Sequence, residues 1–137
     1  MFDFEPGLRP PVSEAPPRMR RLLREAVGDD GAHCETASLA RISLYHECRS
    51  KDVVIARADG GRTMVAEVWF HATVAGRLVS LVSQWPQLTS HSALGSMRCR
   101  ESIDNVMLIP SIDMLAPCAF KRDAENCVGV LVPCLYR

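Results

Sequence analysis

Residues 64 to 85, MVAEVWFHATVAGRLVSLVSQW, contain the pattern that decides the fold. Apolar and polar side chains alternate on both sides of the pair Ala75-Gly76, with the period of two that is typical of half-buried β-strands. A small residue followed by glycine accepts the backbone of a two-residue turn. The stretch therefore predicts an antiparallel hairpin whose turn is Ala75-Gly76.

This turn also predicts which residues face each other. Counting outward from it places Phe70 opposite Leu81 and Ala66 opposite Trp85, on a mainly apolar face. The other face is mixed and contains Glu67, Trp69 and His71. We expect the apolar face to lie in the core and Trp69 to be a surface anchor, while a turn one residue longer would exchange the two faces.

The residues before this hairpin continue the β pattern. In residues 52–68, DVVIARADGGRTMVAEV, two apolar runs are joined by Asp59-Gly60-Gly61, which predicts a second hairpin and so a three-stranded antiparallel meander. In residues 39–48, LARISLYHEC, Ala40 and Ile42 alternate with polar neighbours, which predicts one more half-buried strand that carries Tyr45.

The two ends of the chain differ in pattern. Residues 1–17 are rich in proline and predict an extended or disordered arm. Residues 18–27 predict one short amphipathic helix, with prolines before it and Gly28 after it. Its apolar stripe is Met19, Leu22, Leu23, Ala26 and Val27.

The C-terminal third predicts further short strands. The apolar run 106–109 is stopped by Pro110, a second run covers 118–120, and a last strand from Cys127 is interrupted by Pro133, which favours an edge position. The sequence thus predicts a single, mainly β domain over 18–137 with its β-rich core at about 39–136. The expected fold is a small antiparallel β-barrel or sandwich of five to seven strands with one N-terminal helix.

Composition restricts the classes of function. The 137 residues include 16 basic and 16 acidic ones, so no overall field attracts nucleic acid or an anionic membrane, and nucleic acid is expected only if the Arg18–Arg24 helix binds it. The N-terminus has acids and prolines where a signal peptide needs basic and apolar residues, and no window reaches membrane-spanning length. We expect an intracellular protein, nuclear or cytoplasmic, with no membrane partner.

No motif of catalysis or cofactor binding is present, so we expect no catalytic residues, no metal and no cofactor. The six cysteines include no C-x-x-C pair and are expected to be free and mostly buried thiols. One alternative stays open, a metal-binding or hydrolytic enzyme that uses a His/Cys set. Its candidates are His46 with Cys48, and Cys99 or Ser80 with His71 and Glu67.

The order of elements in MVAEVWFHATV, RLVSLVSQWP and DNVMLIPSIDMLAPCAF resembles that of bromo-adjacent homology domains over about residues 50 to 122. Similar stretches also look like β modules of transposon-derived proteins. The resemblance implies a β-barrel that recognises a protein partner, often a histone tail or another chromatin component, without catalysis.

The sequence therefore favours a non-enzymatic interaction module that binds a protein partner. The predicted partner-binding residues are Trp69, Glu67, His71 and Tyr45. Exposed tryptophans are common anchors of protein interfaces, and Tyr45 is another aromatic residue that can contribute.

Overall fold

The computed structural model describes residues 5–43, 46–88, 96–122 and 127–131, which form a mainly β structure with one α-helix. The helix is α1 (Pro17–Val27). The strands in chain order are β1 (Gly7–Arg9), β2 (Ser13–Glu14), β3 (Cys34–Ala37), β4 (Leu39–Ser43), β5 (His46–Arg49), β6 (Val53–Arg57), β7 (Thr63–Val74), β8 (Arg77–Trp85), β9 (Ser96–Arg100), β10 (Val106–Pro110), β11 (Met114–Pro117), β12 (Ala119–Arg122) and β13 (Cys127–Leu131). The described strands exceed the expected five to seven, because several are too short to show a periodic pattern.

All the strand pairs are antiparallel, and the described strands form three sheets. The central sheet has seven strands, in the order β10-β8-β7-β3-β2, with β6 and then β11 added beside the first half of β7. The small sheets have the orders β1-β4-β5 and β12-β13-β9. The predicted meander is confirmed as β6-β7-β8.

The predicted hairpin register is confirmed from the turn to Phe70 and is wrong beyond it. Ala75 and Gly76 both have positive φ, and Phe70 lies opposite Leu81 as expected. A β-bulge at Trp69 then shifts the pairing by one residue, so that Val65, and not Ala66, faces Trp85. A bulge adds one unpaired residue to a strand, and the alternation of apolar residues cannot show where that residue is.

The bulge exchanges the faces of β7 halfway along the strand. Before the bulge, Ala66 and Val68 pack in a first core with residues of β4, β5, β10 and β11. After it, Ala72 and Val74 pack in a different core against α1. The even-numbered residues of β7 therefore serve two cores on opposite faces of the sheet, although in sequence they form one uninterrupted apolar series.

A third cluster fills the space between the central sheet and the β12-β13-β9 sheet. Trp85 is 1% exposed in this cluster, as expected for a core residue, and its ring contacts Phe120 edge to face with a centroid distance of 6.1 Å. Strand β6 contributes alternate residues to this cluster and to the first core, so its continuous apolar run is buried on both faces.

The helix is amphipathic, but its apolar stripe is narrower than predicted. Leu23 is buried at 2% exposure and Met19 and Val27 pack partly against the core. Leu22 is 64% exposed, and Ala26 is exposed as well. Part of the predicted core stripe therefore lies on the surface.

The arm, the segment 39–48 and the last strand are each the subject of an expectation, and two of these three meet a different arrangement. The arm is extended at β1 and β2, and these strands pair with β4 and β3. The segment 39–48, predicted as one strand, is the antiparallel pair β4 and β5 with Ser43 opposite His46. Strand β13 lies between two neighbours, so the edge position predicted from Pro133 is wrong for the strand, while Pro133 itself lies outside the described residues.

Among the described cysteines, Cys34, Cys48, Cys99 and Cys118 are buried and Cys127 is half-buried, all as free thiols. This confirms the expectation for these five residues, and Cys134 lies outside the described part. No helix within the described ranges is long and apolar enough to cross a membrane.

Candidate functional site

Trp69 lies at the bulge, where the neighbour of β7 changes from β6 to β3. The backbone there is held by the turn after β5: the Lys51 N–H donates to Val68 O at 2.7 Å, and the Ser50 hydroxyl donates to Trp69 O at 2.7 Å. The indole is 36% exposed. Trp69 is thus a partly exposed side chain on a well-fixed backbone, which agrees with its expected surface position.

Glu67 faces the β12-β13-β9 sheet and is half-buried. Burial is the main cause that raises the pKa of its carboxyl, and Glu101 raises it further, whereas Arg122 and Lys51 lower it. Arg122 donates two hydrogen bonds to Glu101, at 2.8 and 3.0 Å. The carboxyl of Glu67 therefore belongs to a group with Glu101 and Arg122, two residues that the sequence did not connect with it.

His71 is on the opposite face from Glu67 and is 0% exposed. Its Nε2 lies 2.9 Å from the carbonyl oxygen of Cys48, which can only accept, so Nε2 carries the proton and donates. Nδ1 then accepts from the Ser80 hydroxyl at 2.7 Å, and Ser80 accepts from Ser111 at 2.7 Å. Burial lowers the pKa of His71 to about 4, which keeps the ring neutral.

The predicted site residues therefore do not form one surface. Trp69 is exposed, Glu67 is half-buried on one face of the sheet, and His71 is fully buried on the other. The bulge separates Glu67 from His71, because it inverts the alternation between them. Tyr45 lies outside the described residues.

The same geometry argues against the hydrolytic alternative. Ser80 does contact His71, but both are sealed from solvent at 0% exposure and Glu67 is on the other face. Cys99 is in a separate core, where burial raises the pKa of its thiol to about 11. The Ser80-His71 pair is an interior polar network that joins β5, β7 and β8.

The metal alternative likewise finds little support. Within the described part of the chain, no group of three or more His, Cys, Asp or Glu side chains is placed to hold a metal ion. His46 and Cys48 are both buried on β5, and burial raises the pKa of the Cys48 thiol to about 12. The Nε2 atom of His46 and the Nε1 atom of Trp85 are buried without a hydrogen-bond partner.

Strand β10 is a different kind of site, because it forms an open edge of the central sheet. It pairs with β8 on one side, and no other described strand pairs with it. The Gln84 N–H donates to Asn105 O, so Asn105, Met107 and Ile109 are the residues bonded to β8. In an antiparallel ladder the intervening residues direct their backbone groups away, so the N–H and C=O of Val106 and Leu108 point outward.

Pro110 fits this arrangement, since it occupies the next outward position and has no N–H to donate. Its position also shows a signal that sequence reasoning missed. A proline that ends an apolar run is typical of an edge strand, and the run 106–109 followed by Pro110 has this pattern. The sequence-based prediction uses Pro110 only as the residue that ends the apolar run 106–109.

Two clefts adjoin β10, and both are lined by Leu108, Ile109 and Pro110. The first has a volume of about 810 Å³ and is mainly apolar, with α1 on its far wall. The second has a volume of about 890 Å³ and is polar, with Arg57 and Asp113 among its lining residues. The side chains of an added strand alternate in direction, so both clefts are within reach of such a strand.

Three of the eight exposed large apolar side chains of the described residues lie in or beside β10 along the chain. Ile103 is 69% exposed, Val106 38% and Ile112 79%. Isolated exposed apolar residues are ordinary, but a group of them beside unpaired backbone indicates an interaction surface.

No family model matches this sequence, and no curated protein and no solved structure matches it either.

Proposed function

We propose that this protein is a non-enzymatic interaction module that binds an extended segment of a protein partner along the outer edge of β10. The observation that carries the proposal is the free edge itself, with the outward N–H and C=O groups of Val106 and Leu108 beside two clefts. Main-chain hydrogen bonds to such an edge provide affinity, and the clefts select the side chains.

The two clefts define the kind of segment that fits. Side chains directed to the α1 side enter an apolar cleft lined by Val27, Leu78 and Val79, so apolar residues are favoured there. Side chains directed to the other side meet Arg57 and Asp113, which form an ion pair at 3.8 Å, so polar residues are favoured. The partner segment is therefore an alternating apolar and polar strand.

The remainder of the molecule supports this function as a scaffold. We regard its layered sheets as a sandwich-type arrangement and not a closed barrel, in which β8 holds β10 in place and leaves its other side open. Among the described members of the predicted partner-binding set, Trp69 is the exposed one, and it is at the bulge of β7, two strands away from β10. We therefore place recognition at β10 and give Trp69 at most a secondary contact.

The test uses a phage-displayed library of random peptides selected on the immobilised protein. Enriched peptides are then measured by fluorescence polarisation on wild type, Leu108→Pro and Leu108→Ala. The proline removes the outward N–H and blocks the edge, so it should weaken binding by about tenfold or more. The alanine is the matched control, because it shortens the side chain but keeps the N–H.

Hydrogen exchange gives an independent result. Peptide binding should slow exchange at the Leu108 amide, which has no backbone partner among the described residues, and should leave the Met107 amide unchanged, since it is already bonded to β8. Equal binding of the peptides to wild type and Leu108→Pro, or protection at another strand only, would contradict the proposal.

A histone or other chromatin partner, and with it a nuclear location, is the narrower form of the proposal that the family resemblance implies. Histone-tail peptides with and without lysine methylation are the direct probe. Binding at the β10 edge would support this form, and its absence alongside binding of library peptides would exclude it while leaving the general function in place.

A further inference from the structure

We propose that a second copy of this chain is a partner for the same edge, so that two β10 strands pair antiparallel around a twofold axis and join two central sheets into one. This inference rests on the proposed function, because it uses the open edge of β10. It adds the identity of one partner and the residues that select it.

The backbone of β10 is suited to pair with itself. With Leu108 opposite Leu108 of the second copy, each Leu108 N–H can donate to the carbonyl of the other. Each Val106 N–H then donates to the Pro110 carbonyl of the second copy. Pro110 has no N–H to donate in return, so the Val106 carbonyl is the one outward group that is left without a donor. The outward groups of the edge are thus largely satisfied without any movement of β10.

The apolar side chains are complementary in the same arrangement. The apolar cleft lies at the Pro110 end of β10, whereas the exposed Val106 is at the other end and Ile103 lies beyond it along the chain. Antiparallel pairing brings the Val106 end of one copy beside the cleft end of the other. Val106 and Leu108 share the face of the sheet on which α1 packs, and a twofold axis perpendicular to the sheet keeps this face on the same side in both copies.

Charges at the two ends match as well. Arg77 lines the apolar cleft and Asp104 is exposed beside the start of β10, and neither makes an ion pair among the described residues. Within one copy they are at opposite ends of the β8-β10 pair and cannot meet. Strand β10 ends at Pro110, and Ser111–Asp113 form a short 3-10 helix, so the strand pairing itself stops there. Antiparallel pairing brings the Asp104 end of one copy beside the Pro110 end of the other, where Arg77 lines the apolar cleft, and we place two symmetric Asp104-Arg77 pairs at these two ends.

The experiment measures the mass of the full chain by sedimentation velocity over a dilution series. Wild type should dimerise reversibly, and Leu108→Pro should be monomeric at concentrations where Leu108→Ala still dimerises. Asp104→Lys and Arg77→Glu should each weaken the dimer by on the order of tenfold, because each places two like-charged pairs in the interface. Lys121→Glu, an exposed charge reversal on β12 in a different sheet from β10, is the matched control and should leave the dimer unchanged.

Mixing the two charge variants provides the decisive comparison. A heterodimer of Asp104→Lys with Arg77→Glu contains one contact between the two substituted side chains, with the charges exchanged, and one native Asp104-Arg77 contact. Both contacts are attractive, so the equimolar mixture should dimerise about as well as wild type. Each variant alone should form the weaker dimer described above. A merely structural effect of either substitution would not be rescued by mixing.

The outcomes separate this inference from the proposed function. A monomer at all concentrations that still binds library peptides at β10 overturns the second-copy partner and leaves the function standing. A monomer that binds no peptide at β10 overturns both. A dimer that is insensitive to Leu108→Pro and to charge reversal uses another surface, and this result also overturns the inference.

Discussion

At the scale of single residues, His71 shows how an apparent functional group becomes part of the interior. The imidazole is completely buried, yet both ring nitrogens have partners, Cys48 O and the Ser80 hydroxyl. Buried polar groups are tolerated when they are satisfied in this way. The network also fixes the relative positions of β5, β7 and β8, because its members come from different strands.

The lowered pKa of His71 predicts a loss of stability in acid. The unfolded chain binds a proton at the usual histidine pKa of about 6.5, whereas the folded protein binds it only near pH 4. This contribution is complete above about pH 6.5 and is lost as the pH falls from there to about 4. It amounts to about 3 kcal/mol.

The measurement is urea unfolding of wild type and His71→Asn at pH 7 and pH 4. His71→Asn should be less stable at pH 7 but should lose less stability on acidification, by about the same 3 kcal/mol. Burial is the main cause that lowers the pKa of His46, and this residue is buried in the same way in both proteins. Parallel losses in the two proteins would contradict the assignment.

The two tryptophans should respond very differently to substitution. Trp85 is 1% exposed, so Trp85→Ala should destabilise the protein by about 3–5 kcal/mol. Trp85→Phe keeps most of the ring volume and removes an indole N–H that has no acceptor, so its effect should be much smaller. Trp69→Ala should cost about 1 kcal/mol.

Urea unfolding of the three variants tests this order. Fluorescence adds a separate check, since the emission of the Trp69→Ala protein, which retains Trp85, should be blue-shifted relative to that of Trp85→Phe. A larger loss of stability for Trp69→Ala than for Trp85→Ala would contradict the assigned burial.

At the scale of elements, local pattern predicts the turns and tertiary pairing decides where the prediction fails. The Ala75-Gly76 turn and the register next to it follow from alternation and turn chemistry, and both are correct. The bulge at Trp69 leaves no such trace, because β7 keeps its even-numbered apolar series while the sheet exchanges its faces. For this reason the sequence groups Glu67 and His71 on one face although they lie on opposite ones.

Strand β10 provides a test of edge geometry that is independent of any partner. Met107 bonds to β8 through its N–H, whereas the N–H of Leu108 points outward. Met107→Pro should therefore destabilise the protein by about 3 kcal/mol or more. Leu108→Pro should lose little beyond the apolar contacts that Leu108→Ala also loses.

Urea unfolding of both proline variants beside Met107→Ala and Leu108→Ala separates backbone from side-chain effects. The difference between proline and alanine should be large at position 107 and small at position 108. The reverse order would mean that the outward residues of β10 have been assigned incorrectly, and with them the hydrogen bonds proposed for a partner strand.

At the scale of the whole molecule, the N-terminal arm illustrates the limit of composition as a guide. Proline-rich segments without periodicity commonly remain unfolded, but here short pieces of the arm complete two sheets. Strand β1 pairs with β4, β2 pairs with β3, and Ala15 is 3% exposed. Leu8 also packs against the first core. These contacts are long-range, so no local pattern in residues 1–17 could predict them.

Removing the arm should therefore weaken the domain as a whole. A chain without residues 1–14 loses β1, β2 and the Leu8 contact, and it exposes the edges of β3 and β4. Each net hydrogen bond contributes about 1 kcal/mol, so the combined loss should be at least about 2 kcal/mol by urea unfolding. A chain without residues 1–4 keeps both strands and is the control for the truncation itself. The newly exposed edges should also make the shorter protein more prone to aggregate, since unpaired strand edges template association. Equal stability of both truncated chains would show that β1 and β2 pair without stabilising the fold, and the arm would then be an appendage of the domain.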